Sequence, residues 1–172
     1  MSRGLSLLWW VLSATAAGAH SASDAYLNLT VDRTGKSGLV SVHGQWDVAL
    51  RDLDFVLKLD DDGDGHVTWG EFERHEAAIE RYVYSLLTFT GGVGNPCAIH
   101  PRRTMIDGHA DGTYAALFFD VDCPRHLESL EVAYGLFFSV DPSHRGIFVA
   151  RSGANVATAV FSPQNAQIAV TL

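Results

Sequence analysis

The stretch DDDGDGHVTWGE, Asp60 to Glu71, places five carboxylates within twelve residues of a chain otherwise rich in apolar and small side chains. Carboxylates this close repel one another, so water, disorder or a cation must separate them. The spacing selects the cation. Oxygen-bearing side chains fall at positions 1, 3, 5, 9 and 12 of the stretch, namely Asp60, Asp62, Asp64, Thr68 and Glu71. Position 7 is His66, which need offer only its backbone carbonyl, and position 6 is Gly65, at a turn that other residues strain to make. Every donor is a hard oxygen, which suits calcium rather than zinc.

The elements on either side agree with that reading. The pattern resembles an EF-hand loop at each diagnostic position, including the apolar Val67 at position 8 that ties such a loop to a core. Thr68-Trp-Gly-Glu71 is also a capping box, so the exit helix is expected to start inside the ion loop. Leu50, Leu53, Phe55-Val56 and Leu57 recur at helical spacing before the loop. Phe72, Ile79, Val83, Leu86 and Leu87 continue such a stripe after it to about Thr88, and Gly91-Gly-Val-Gly94 ends the segment. Asp107-Gly-His-Ala-Asp111-Gly looks like part of a second loop but lacks an acid at the right spacing and a Glu at the closing position. Sensor loops of this type work in pairs, so a single one points to a structural clamp.

The rest of the chain reads as strands. Leu27, Leu29 and Val31 alternate with Asn28 and Thr30, a Thr34–Gly38 turn follows, and Val40, Val42 and Trp46 suggest the second arm of a hairpin. Tyr114 to Val121, Leu130 to Val140, Gly146 to Arg151 and Val156 to Phe161 are rich in aromatic and branched residues separated by turn signals. The expected fold class is α+β: a β-sandwich-like domain over residues 20–172, with an EF-hand helix–loop–helix inserted after the second strand at about 48–89.

Residues 1–19 read as a signal peptide: a basic start at Arg3, an apolar run from Leu5 to Ala17, and a small-residue cleavage site at Ala17-Gly-Ala19. The run is too short for a membrane-spanning helix, which needs roughly 20 apolar residues. Cleavage would leave His20 first, in a periplasmic or extracellular protein. In such an oxidising compartment Cys97 and Cys123 most simply form one disulfide. The formal charge of −8, without any run of Lys or Arg, argues against nucleic acid as a partner. An apolar content of 47% argues against a disordered chain.

Signs of catalysis are absent from the motifs. His75-Glu-Ala-Ala-Ile79 begins like the zinc-protease pattern but has Ile79 where the second His must stand, and there is no GxSxG, P-loop or dinucleotide fingerprint. No enzyme and no small-molecule substrate are therefore expected. A different function would use the histidines. A free amine and imidazole at His20 can chelate nickel or copper, with His100, His109, His126 and His144 expected in loops as further ligands.

Beyond single motifs, Ala19-His20, Ser23-Asp24-Ala25-Tyr26-Leu27, the long string GQWDVALRDLDFVLKLDDDGDGHVTWGE (Gly44 to Glu71), DGTYAALFF, DPSHRG and FSP resemble the extracytoplasmic N-terminal domain of HupE/UreJ-type membrane proteins. That resemblance spans nearly the whole chain after residue 19. It implies a membrane or envelope protein as partner, in a family associated with nickel or cobalt uptake. The membrane helices of such proteins have no counterpart in these residues, so transport is not carried over.

Overall fold

The computed structural model describes residues 23–32, 40–123 and 128–171. The expected signal peptide, His20, the Thr34–Gly38 turn and His126 lie outside the described residues. Alternation in the first strand does what its period of two requires. In β1 (Asp24–Asp32), Ala25, Leu27, Leu29 and Val31 are buried while the residues between them face outward. β2 (Val40–Ala49) pairs with it antiparallel, placing Trp46 opposite Leu27.

Two α-helices follow β2 directly: α1 (Leu50–Leu57) and α2 (Trp69–Tyr84). The chain then returns to strands: β3 (Leu87–Gly91), a 3₁₀ turn over Gly92–Gly94, β4 (Asn95–Pro96), β5 (Ala98–His109) and β6 (Gly112–Cys123). β7 (Ser129–Tyr134), β8 (Arg145–Ser152), β9 (Asn155–Phe161) and β10 (Gln167–Thr171) complete it. Among the described residues the strands form a six-stranded sheet, order β5-β6-β2-β1-β8-β9, and a four-stranded sheet, order β10-β7-β3-β4. The β1–β8 contact is parallel and every other pairing is antiparallel. The protein is thus a β-rich, sandwich-like α+β fold.

One core serves both sheets and the helices. Trp46, Phe119, Phe148 and Phe161 from the large sheet meet Phe89, Leu130, Val132 and Tyr134 from the small one. Leu50, Leu53, Phe72, Ile79 and Val83 of the helices belong to the same cluster, so α1 and α2 pack on the sandwich. Leu57 is half-buried, whereas Phe55, on the far side of α1, is 67% exposed. The Cys97–Cys123 disulfide forms, with the Cα atoms 4.5 Å apart. It closes a loop with a sequence separation of 26 and stabilises by about 3.5 kcal/mol in the chain-entropy view.

Three expectations need correction. The helical stripe ends at Tyr84 rather than near Thr88; Ser85 caps α2, and Leu87, Phe89 and their branched neighbours join β7 instead. The strand expected from Leu130 to Val140 stops at Tyr134. Beyond it Phe137 adopts a left-handed φ of 59°, and its carbonyl accepts from both Val140 and Asp141 in a tight turn. His100 and His109 sit in strand β5, not in loops, and His144, although between strands, is fully buried.

Gly44 shows how closely the core is filled. A Cβ there would lie 2.2 Å from the Phe119 ring, which covers the glycine from the neighbouring strand. Gly44→Ala must displace a buried aromatic ring, and overpacking of this kind costs about 1–3 kcal/mol. Chemical denaturation of that variant is expected to show a lower midpoint with an unchanged slope. An unaltered midpoint would mean the ring has free space to move into.

Candidate metal centre

The loop between the helices is shaped by its own carboxylates. α1 ends on Lys58 in the left-handed conformation, its amide donating to the Asp54 carbonyl. The Asp54 side chain then accepts from the amides of Leu59 (2.7 Å) and Asp60 (3.0 Å), turning the chain away from the helix. Leu59 is fully buried and Val67 is half-buried against the same core, so the loop is pinned at both ends.

Between these pins the aspartates bind backbone amides. Asp60 accepts from Gly63 (2.7 Å) and Gly65 (2.8 Å), Asp62 from Asp64 (3.2 Å), and Asp64 from His66 (2.8 Å). Gly63 and Gly65 take φ values of 74° and 86°, a region that side chains with a Cβ rarely enter. The expected capping box is present. Thr68 precedes α2, its hydroxyl accepting from the Glu71 amide, while Glu71 accepts from the Thr68 amide at 2.8 Å. The second Glu71 oxygen accepts from the Asp61 amide at 2.9 Å, reaching back to the start of the loop.

As a result Asp60, Asp62 and Glu71 each present an oxygen within 4.8 Å of the others, close enough to share one ion. Among the described residues this is the group of three or more metal-binding side chains so arranged. Asp60 is half-buried, Asp62 exposed and Glu71 buried, so the cluster has one closed side and one open to water. Asp64 and Thr68 lie in the loop at their expected positions, but Asp64 is turned to the His66 amide and the Thr68 hydroxyl bonds Glu71 at 2.7 Å. The His66 side chain is exposed and is not part of this group.

The electrostatics favour ionised carboxylates. The Gly65 amide, with further backbone donors, holds Asp60 below the usual carboxylate range. The Thr68 hydroxyl and amide do the same for Glu71. Asp61, the fifth carboxylate, has a separate role that its position outside the ligand pattern signals. It pairs with His75 (2.9 Å) and with Arg74 through two nitrogens (2.9 and 2.8 Å), which lower its pKa. His75, the first residue of the truncated zinc-protease pattern, thus helps tie the loop to α2 through Asp61.

A cleft of about 320 Å³ lies against the loop, walled by Arg51, Asp54 and Gly65 to Val67 on one side and by Asp111 to Tyr114 of the β5–β6 hairpin on the other. Of the described histidines only His66 lines it; His43, His100, His109 and His144 do not. His43 faces Asp120 (2.6 Å), His100 faces Asp122 (3.3 Å), and His109 faces the buried Asp47 (3.4 Å).

His144 belongs to a second polar cluster that sequence spacing does not show. Ser23 donates to Asp52 (2.8 Å), so its one hydroxyl proton is used and His144 Nδ1 donates to the Ser23 oxygen (2.7 Å). His144 Nε2 then accepts from the Tyr134 hydroxyl (2.7 Å).

No family model and no curated protein matches this chain.

Proposed function

We propose that this chain is an exported calcium-binding module that holds one ion in a single EF-hand-type loop and works by presenting a surface, without catalysis. The observation that carries the reading is the convergence of Asp60, Asp62 and Glu71 at the two ends of a loop whose turns rest on Gly63 and Gly65. In the absence of a cation these carboxylates face one another, compensated by backbone amides and the Thr68 hydroxyl. Calcium would complete the site with the oxygens of Asp64, His66 and Thr68. The ion would then fix α1 and α2 against the sandwich, and with them the cleft beside the β5–β6 hairpin.

The disulfide supports an oxidising compartment. Among the described residues no helix is long and apolar enough to cross a membrane. The resemblance to HupE/UreJ-type extracytoplasmic domains favours a membrane or envelope protein as the partner of the presented surface. Isothermal calorimetry with calcium tests the reading. One site is expected, with a dissociation constant between micromolar and millimolar. A melting temperature that rises with calcium and falls with chelator should accompany it. No heat and no thermal shift would end the proposal.

A further inference from the structure

The two edges of the six-stranded sheet are built differently. At one edge β5 carries Pro101, Arg102 and Arg103, and its register shifts between Pro101 and Arg103. Proline, charge and a bulge are the devices that stop an edge strand from pairing further. At the other edge β9 reads NVATAVF, with no charge and no proline, and its pairing with β8 runs unbroken from Asn155 to Phe161. Among the described residues no strand pairs with its outer side.

The β8–β9 turn determines what that side offers. Ser152 pairs with Asn155 around a two-residue turn whose first residue, Gly153, has φ of 58°. The pair that closes such a hairpin is hydrogen-bonded, and bonded pairs alternate along the ladder. Asn155, Ala157, Ala159 and Phe161 therefore bond to β8, while the amides and carbonyls of Val156, Thr158 and Val160 point away from it. Asn165 donates to the Val160 carbonyl at 3.0 Å, using one of its lone pairs. Val156 and Val160 are also 60% and 46% exposed on one face.

We propose that the outer edge of β9 is an interface between two copies of this chain, paired antiparallel about a two-fold axis at Thr158. The sequence is self-complementary in that register: Thr158 meets Thr158, and each Val156 meets the other copy's Val160. The outward amides and carbonyls of all three residues then face one another, and the neutral strand brings no like charges together. Strands this short cover little area compared with the roughly 1,200–2,000 Å² of stable complexes, so the dimer should be reversible.

Sedimentation of the disulfide-bonded chain, from low micromolar to sub-millimolar concentration, should show mass rising from one copy toward two. Thr158→Pro removes an outward amide that β8 does not use, and should stay monomeric throughout. V156K/V160K sets lysine against lysine across the axis and should also be monomeric. V156K/V160E sets lysine against glutamate and should restore the dimer. Circular dichroism of each variant checks folding, and if the proline variant unfolds, the two charge variants still decide. Wild-type protein that is monomeric at every concentration overturns the proposal, including the case where the edge serves a strand from a different protein. So does a dimer that V156K/V160K leaves intact, or one that V156K/V160E fails to restore.

Discussion

Glu71→Gln is expected to raise the calcium dissociation constant by about 100-fold, close to 2.8 kcal/mol. Glu71 is the one residue that reaches both ends of the loop, through the Asp61 and Thr68 amides, and it is buried. An uncharged amide in its place keeps an acceptor for the cap but loses the charge and the two-oxygen grip. Glu71→Ala should remove binding as well, and also lower the stability of the metal-free protein by about 1 kcal/mol through the lost capping box. Asp61→Asn is the control. Its carboxylate faces Arg74 and His75 rather than the ion, so calcium affinity should change little. At free calcium of about 100 times the wild-type dissociation constant, binding adds about 2.7 kcal/mol to wild-type stability; that increment should fall to about 0.4 kcal/mol in Glu71→Gln and vanish in Glu71→Ala. Hydrogen exchange should show where the ion acts. Chelation is expected to expose amides over residues 50–84, while β1, β2, β6 and β8 stay protected. A calcium response that survives Glu71→Ala, or that Asp61→Asn also destroys, would place the ion elsewhere.

The second large effect is acid sensitivity centred on His144. Burial pushes its pKa down from 6.5 to about 4, against the pull of Asp141 and with help from Arg145. The folded protein therefore holds this proton less tightly than the unfolded chain does. Its contribution to stability is full above the unfolded value of 6.5 and is lost progressively as pH falls toward about 4. The gap corresponds to about 3 kcal/mol, or roughly 6–12 °C in melting temperature for a chain of this size. Asp47 and Asp52, raised by burial, act in the opposite sense, since their folded forms gain protons more readily as pH falls. Comparing variants cancels them. His144→Gln keeps a polar side chain between Tyr134 and Ser23 but cannot titrate. Melting curves in saturating calcium should fall more steeply for wild type than for His144→Gln between neutral pH and about pH 4. Parallel curves would show that the buried imidazole does not drive acid unfolding.

What the sequence determined by itself was whatever depends on short spacing. Asp60, Asp62 and Glu71 converge because the residues between them, with left-handed Gly63 and Gly65 and the Thr68 cap, set the path of a single loop. β1 was legible because one face is buried and one solvated, so its alternation mirrors the core. The disulfide followed from two cysteines and the expected compartment. Tertiary structure decided the rest. β5 carries no alternation because most of its residues on both faces are exposed at the sheet edge, so no periodic signal marks it as a strand. The alternation of Leu136, Phe138 and Val140 continues that of β7, yet the chain turns at Phe137, whose ring packs beside Tyr82 of α2; Leu136 and Phe137 are buried and Val140 is not. Leu87 fits the stripe of α2 as well as it fits β3, and only the presence of β7 as a pairing partner selects the strand. Ser23 and His144 are 121 residues apart, and the parallel pairing of β1 with β8 brings them together. Local periodicity records which side of a segment is buried; it carries no information about which distant segment does the burying.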